Sequence, residues 1–179
     1  GALNFVVVGG GPSGTELAGQ LVEVLRRVLR DDFRKIDTAR ARVILLEMQP
    51  ELLNGFDEKL RDYARRVLEK WGVEVRTETV VARVTADAVY LKDGEVIPTQ
   101  TLVWAAGIKA NALGEKFGAG RKGGGRIPVE RDLCLPGHPE VFVVGDMCGR
   151  GEEGGAFYPQ LATVALQQGS HAARQILRR

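Results

Sequence analysis

Two cysteines and two histidines in 179 residues leave little from which a reactive or metal-bearing centre could be made. Cys134 and Cys148 are too far apart for a C-x-x-C redox pair, and neither has the neighbours of a zinc site. Both read as idle thiols of a reducing compartment. His138 and His171 are isolated, so no metal is expected. No apolar run reaches membrane length, and no leader pattern opens the chain. Charge of one sign is also missing: the net charge is +2. Arg26, Arg27, Arg30, Arg34, Lys35, Arg40 and Arg42 cluster, but Glu23, Asp31, Asp32 and Asp37 interleave with them. That is a mixed-charge surface, not the basic stripe of a nucleic-acid-binding protein. Apolar content of 44% and charged content of 27% are those of a soluble globular chain.

Glycine is what the chain has in quantity, and three of its 23 glycines organise the start. Phe5-Val6-Val7-Val8 is a short apolar run of the kind buried in a parallel sheet. Gly9, Gly11 and Gly14 follow at G-x-G-x-x-G spacing, and Leu17, Leu21, Leu25, Val28 and Leu29 then mark one face of a helix from Ser13 to Arg30. Strand, glycine turn and helix together form a diphosphate cradle. Gly9 permits the tight turn, Gly11 lets backbone approach the phosphates, and Gly14 lets helix pack on strand. Amides and the positive dipole end at the helix start hold the anion. A second buried strand, Ala41 to Glu47, ends in an acid. In dinucleotide folds that acid holds the adenosine ribose hydroxyls. The interval from Gly14 exceeds the usual ~20 residues, which a lengthened helix and loop over 30–40 accommodates. A carboxylate there repels a 2′-phosphate, and no arginine follows at once, so NADH is expected over NADPH.

Phe56 to Gly72 reads as a helix with Asp57 as N-cap and Gly72 as its stop. Leu60, Tyr63, Ala64, Val67, Leu68 and Trp71 form a stripe expected to be core. Val73 to Arg76 is a third strand; Val80–Val84, Ala88–Lys92 and Glu95–Ile97, with an Asp93-Gly94 turn, form an antiparallel meander. Thr101 to Gly107 returns as another buried strand whose small last residues leave room for a ligand. Phe117 to Arg126 is glycine-rich without a Walker lysine context and reads as a connection. Val141 to Asp146 is a further buried strand. A glycine-rich loop over 149–155 then leads to a last helix from near Pro159, filled by Leu161, Val164, Ala165, Ala172, Ile176 and Leu177.

The motifs GGGPSGTE (Gly9–Glu16), strand-end Glu47, WAAG (Trp104–Gly107), VFVVGD (Val141–Asp146) and ALQQG (Ala165–Gly169) occur in this order. The chain thereby resembles the FAD-dependent pyridine nucleotide–disulfide oxidoreductases, most of all their type II (alternative) NADH dehydrogenases. The resemblance implies an α/β fold: a Rossmann-like parallel sheet with helices on one face and an antiparallel β-meander on the other, plus the returning part of an FAD-binding domain. It implies an NADH-binding domain over 1–107 and the C-terminal part of the FAD domain over 108–179. It also implies a flavoprotein that passes hydride from NADH to FAD and electrons to a quinone. Gly9, Gly11, Pro12, Ser13 and Gly14 would face the NADH pyrophosphate, Glu47 the ribose and Val81 the adenine. Ala106 and Gly107 would admit the nicotinamide, which Glu16 would help orient. Gly145 and Asp146 would meet the flavin ribitol, and the amides of Leu161, Ala162 and Thr163 would face its pyrimidine edge. Gln167 and Gln168 would lie near the quinone head group.

The family's own amino-terminal FAD glycine motif and its carboxyl-terminal membrane segment have no counterpart here, so the chain reads as a piece of a longer protein. Alone it is expected to bind NADH, to purify without flavin colour and to have negligible turnover. The parent is expected at the cytoplasmic face of the inner membrane, peripheral to it, with self-association into a homodimer. Two other readings stand beside this one. The first is a reductase of the ferredoxin or rubredoxin type, whose acceptor is a protein. The second is a dinucleotide-binding module without turnover.

Overall fold

A computed structural model describes residues 3–29, 32–33, 36–118, 120, 122–151 and 156–178. Two compact units divide the chain, Gly1–Gly107 and Ile108–Arg179. The first runs β1 (Asn4–Val8), α1 (Pro12–Glu23), β2 (Arg42–Leu46), α2 (Glu58–Trp71), β3 (Val73–Arg76), β4 (Val81–Val84), β5 (Ala88–Leu91), β6 (Val96–Pro98) and β7 (Thr101–Trp104).

Four of these strands form a parallel sheet in the order β3-β2-β1-β7. Side chains alternate across it. Val7, Val43 and Leu45 face the helices, packing with Ala18, Val22, Leu25 and Leu68. Val6, Val8, Ile44 and Leu46 face the other way, onto Val89, Leu91 and Ile97 of the antiparallel meander β4-β5-β6. A strand covered on both faces must be apolar at every position, which is why β1 and β2 read as unbroken runs. The expected Rossmann-like layering is therefore what the residues build.

Details differ from expectation where an element meets water. β7 lies at the sheet edge, so Leu102 and Val103 are half-buried and Trp104 is exposed. The first helix is not one α-helix to Arg30, a residue outside those described. After Glu23 a π-helical turn spans Val24–Val28, with Leu29 N–H donating to Val24 C=O at 2.9 Å. The wider turn rotates the apolar stripe off the sheet, and Val28 ends 59% exposed. α2 is capped as expected: Asp57 accepts from Lys59 N–H, and Gly72 takes φ +93°. Its stripe is not core, however. Leu68 alone on α2 is buried, while Leu60 and Tyr63 are 56% and 62% exposed. α2 touches α1 through Leu68 and Trp71, whose side chains lie over Gly19. The contact sits near the end of α2 and leaves Leu60 and Tyr63 of its first turns in water. Leu68→Ala should therefore cost the first unit about 2–4 kcal/mol. Tyr63→Ala should stay within about 0.5 kcal/mol. Urea melts of the two variants check this.

An ion network ties β2, β3 and the meander together. Glu74 pairs with Arg42 and Arg76, and Arg76 reaches Glu95 at 2.7 Å. Partial burial pushes the Glu74 carboxyl up, but hydrogen bonds from Arg42 and Arg76 outweigh it and hold the group below its ordinary value. A depressed carboxyl stabilises the fold above its unfolded-state value, and the contribution disappears as pH falls through the folded value. These groups are partly exposed, so the effect is at most about 1 kcal/mol. Glu74→Gln should flatten the acid limb of the stability curve while leaving its neutral-to-alkaline part parallel to wild type, as thermal melts across pH would show.

The second unit runs through 3-10 turns at Ala112–Phe117 and Gly123–Gly125 to β8 (Ile127–Pro128), β9 (Cys134–Leu135), β10 (His138–Phe142), β11 (Cys148–Gly149) and α3 (Ala162–Leu177). β8 pairs with β11 in parallel and β9 with β10 in antiparallel fashion. Ile127, Leu133, Leu135, Val143 and Cys148 form a small core. The expected buried strand over 141–146 is corrected: β10 ends at Phe142, Val143 follows buried with its N–H on Leu133 C=O, and Val144 is exposed. Among the described residues β10 has one partner strand, too few to bury its full length. α3 starts at Ala162 and buries Gln168 and Ala172, while Leu161, Ile176 and Leu177 stay exposed, so most of its expected filling is not core. Residues 152–155 of the expected glycine-rich loop, and Ala119 and Arg121 of the earlier connection, lie outside the described residues. Neither cysteine forms a disulfide, and both are buried. Burial pushes the Cys148 thiol up, which keeps it protonated and unreactive.

Candidate functional site

The three motif glycines have different reasons to be glycine. Gly9 turns the chain at φ +110°, and a Cβ there would stand 2.7 Å from the Ala105 backbone. A Cβ on Gly14 would land on the carbonyl oxygen of Gly9. These two let α1 press onto β1 and onto the segment after β7. Gly11 has φ −72°, open to any residue, and nothing lies within 4 Å of where its Cβ would be. The fold does not require glycine at position 11; a molecule approaching the loop would. α1 then opens with Pro12, which has no N–H to leave unpaired. No side chain caps this terminus, and no acid lies in its first turn. Such an end attracts an anion through its bare amides and dipole.

Glu47 stands at the tip of β2, half-buried, and its carboxylate is doubly engaged. Oε2 accepts from Gly10 N–H at 2.5 Å and Oε1 from Gln49 N–H at 2.7 Å. Each oxygen keeps acceptor capacity for a further donor. Gly10 is held from its other side as well: its carbonyl accepts from Leu53 N–H at 2.8 Å, while Leu52 is buried against its Cα. Leu53 takes φ +52°, a left-handed conformation uncommon for leucine. Sequence reasoning passed over 48–55. The bond from Leu53 N–H to the Gly10 carbonyl shows that this stretch braces the glycine loop.

At the carboxyl ends of the strands lies a cavity of about 360 Å³, walled by Val8, Gly9, Gly11, Glu47, Val81, Trp104, Ala106 and Gly107, with Met48, Thr79 and Val80 added by the structure. This is the crevice where open α/β sheets receive ligands. Pro12, Ser13 and Gly14 stand at the head of α1 beside it, outside the wall; Ser13 is exposed and Gly14 buried. Glu16 is exposed on α1 and does not line the cavity.

In the second unit Gly145 takes φ +67°, and its N–H donates to Gln168 Oε1 at 2.7 Å. The glutamine pair thus separates. Gln168 is 8% exposed and ties α3 to the turn over 145–147, whereas Gln167 is exposed. Asp146 is exposed, and its backbone carbonyl accepts from Gln160 Nε2 at 2.9 Å. α3 opens with no side-chain cap, leaving Ala162 and Thr163 at a bare terminus. The expectation for Leu161 is corrected: its N–H donates to Pro159 C=O at 3.0 Å and is not free for a ligand. Among the described residues no cluster could hold a metal ion.

The head of α1 thus offers uncapped amides, and Glu47 beside it a carboxylate with acceptor capacity to spare. A family model described as pyridine nucleotide-disulphide oxidoreductase matches residues 2–169. Type II NADH:quinone oxidoreductase NdhA of Mycobacterium tuberculosis is 44% identical over 154 residues, which are 81% of this chain and 33% of NdhA. The same organism's Ndh, of the same description, is 38% identical over 182 residues, 97% of this chain and 38% of Ndh. The chain thus spans about a third of the length of these curated relatives. The solved structure of NDH2 from Plasmodium falciparum, in complex with NADH, superposes with a TM-score of 0.74 at 19% identity, over 82% of this chain and 32% of that one; it shows a common fold. On the residues matched and on these relatives, the chain belongs to the pyridine nucleotide-disulphide oxidoreductase family.

Proposed function

We propose that this chain is the NADH-binding portion of a flavoprotein that passes hydride from NADH to FAD and electrons on to a quinone. The observation that carries the reading is the uncapped start of α1 beside Gly11, which has open space where every other constraint on the loop is tight. Gly1–Gly107 is the NADH-binding domain and Ile108–Arg179 contributes to the FAD domain. Gly9, Gly11, Pro12, Ser13 and Gly14 present the α1 amides to the pyrophosphate, Glu47 takes the adenosine ribose, and Val81 borders the adenine. Ala106 and Gly107 carry little or no side chain and leave room for the nicotinamide, with Glu16 at the α1 side. The FAD residues also fit: α3 opens with bare amides at Ala162 and Thr163, and the Asp146 carboxylate is exposed to accept from ribitol hydroxyls. When bound, FAD supplies the hydride-accepting ring. Gln168 fixes the Gly145 turn, and Gln167 is the more open of the pair toward an acceptor. The likeness to two type II NADH:quinone oxidoreductases supports NADH and quinone as the substrates. Peripheral attachment at the cytoplasmic face of the inner membrane, and a homodimer, belong to the same proposal. Among the described residues no helix is long and apolar enough to cross a membrane.

The test is a fluorescence titration of the chain with NADH and with NADPH. The expected result is one saturable NADH site and a clearly weaker NADPH isotherm. No saturable NADH binding, or equal affinity for both, would overturn the reading.

A further inference from the structure

The cavity at the strand ends has an apolar wall that the fold itself does not require. Met48, Val80 and Trp104 all line it, and all three are large hydrophobic side chains left exposed. They arrive from separate places: Met48 just past β2, Val80 just before β4, and Trp104 as the last residue of β7. Exposed hydrophobics scattered singly need no explanation, whereas three converging on one concavity mark a surface made to be covered. Trp104 is the largest of them. It pairs with Val8, and Val8 with Leu46, in one row across the sheet. Leu46 and Val8 are buried under the meander, and Leu102, two residues before Trp104 on the same face, packs against that core as well. Trp104 is 56% exposed.

Nothing in β7 calls for an indole at this place. The Ala105 N–H already donates to Val8 C=O at 2.7 Å, which holds the strand end to β1 through backbone alone. Three small residues follow, Ala105, Ala106 and Gly107, and Gly107 turns the chain at φ +97°. A threonine at this edge position would satisfy the sheet. A tryptophan offers instead a broad, rigid π face that loses little entropy when it is covered. Such faces stack on planar heterocycles whatever their hydrogen-bonding pattern. We infer that Trp104 is a stacking contact for the bound dinucleotide, its indole meeting one of the two planar rings. The inference rests on the NADH reading of this cleft and adds a substrate-contacting residue to it. Adenine and nicotinamide share the required chemistry. Val81 in the same wall favours the first, and the two-strand separation of β7 from the Glu47 end of β2 favours the second.

Calorimetric titrations with NADH and with ADP-ribose, which lacks the nicotinamide, test the contact on wild type, Trp104→Ala and Trp104→Phe. Loss of the ring should weaken NADH binding about tenfold or more. Phenylalanine, which keeps a π face, should restore most of that loss. A Trp104→Ala loss seen with NADH alone assigns the stacked ring to nicotinamide, and an equal loss with ADP-ribose assigns it to adenine. If Trp104→Ala binds both ligands as wild type does, or Trp104→Phe is as weak as Trp104→Ala, the inference is overturned while the nucleotide reading stands. No NADH binding by wild type overturns both. Should Trp104→Ala melt early, Trp71→Phe gives a second measurement. Trp71 lies over Gly19 on the helix side of the sheet, and its replacement leaves Trp104 as the one tryptophan. The indole emission of that protein should be largely quenched on saturation with NAD+, and unchanged emission at saturation overturns the inference.

Discussion

Gly14→Ala should abolish the fold of the first unit, whereas Gly11→Ala should leave it intact and sharply weaken nucleotide binding. The two substitutions add the same methyl group three residues apart. At position 14 that methyl coincides with the Gly9 carbonyl oxygen, backbone that cannot rotate away. Relief requires lifting α1 from β1, and with it the packing of Ala18, Val22 and Leu25 on Val7, Val43 and Leu45. A cost above about 4–5 kcal/mol is exceptional for a point change and is a large part of a domain's total stability. At position 11 the methyl meets nothing, the backbone conformation suits alanine, and the entropy lost from the unfolded chain gives about 0.4–1 kcal/mol of stabilisation. The methyl stands instead where a pyrophosphate would approach, so the NADH Kd should rise about a hundredfold, close to 2.7 kcal/mol. Circular dichroism melts and NADH titrations of the pair read both effects. Unaltered NADH affinity in a well-folded Gly11→Ala protein would show that the open space at Gly11 is not a ligand's.

The buried centre of the first unit was plain in the sequence because its strands are covered on both faces, and two-sided burial writes itself as an unbroken apolar run at Val6–Val8 and Val43–Leu46. Helix ends were legible for a similar reason: Asp57 and Gly72 act through their own local geometry. What could not be read was burial decided by a neighbour. Leu60 and Tyr63 have helical spacing but no partner among the described residues, and nothing in their own segment says so. The same holds for Ile176 and Leu177 of α3. The π-helical turn at Val24–Val28 is set by one displaced hydrogen bond and leaves no mark in composition. At the cleft Gly9 and Gly14 were visible because the backbone itself demands them, and Gly11 and Glu47 because they stand at the motif's fixed positions after a strand. The brace from Leu53 to Gly10 joins residues 43 apart in the chain, through backbone atoms that every residue has. No residue type announces it. Gln168 was picked out for a different duty than the one its hydrogen bond shows, since a buried glutamine and an exposed one look alike in sequence.

Glu47→Gln should have the second large effect, and it should appear in two measurements at once. The carboxylate now accepts from two backbone N–H groups, Gly10 on one oxygen and Gln49 on the other. A glutamine amide has one oxygen, so its NH2 must face one of those N–H donors. Leaving a part-buried donor unpaired costs about 1–3 kcal/mol, and part of that cost falls on the glycine loop that positions Gly11. NADH affinity should therefore drop about tenfold or more even though glutamine can still bond a ribose hydroxyl. For NADPH the balance is different. The present carboxylate is held on both sides and cannot swing from an incoming 2′-phosphate. A like-charge contact near a protein surface, at ~4 Å and an effective dielectric of ~20, opposes it by up to about 4 kcal/mol. Removing the charge relieves that repulsion while the loop penalty applies to both nucleotides equally. The ratio of the NADPH Kd to the NADH Kd should then fall by about ten- to a hundredfold. If both affinities drop in proportion and the ratio stays put, Glu47 braces the loop without choosing the sugar. If the ratio collapses with NADH affinity intact, its bond to Gly10 is dispensable for binding.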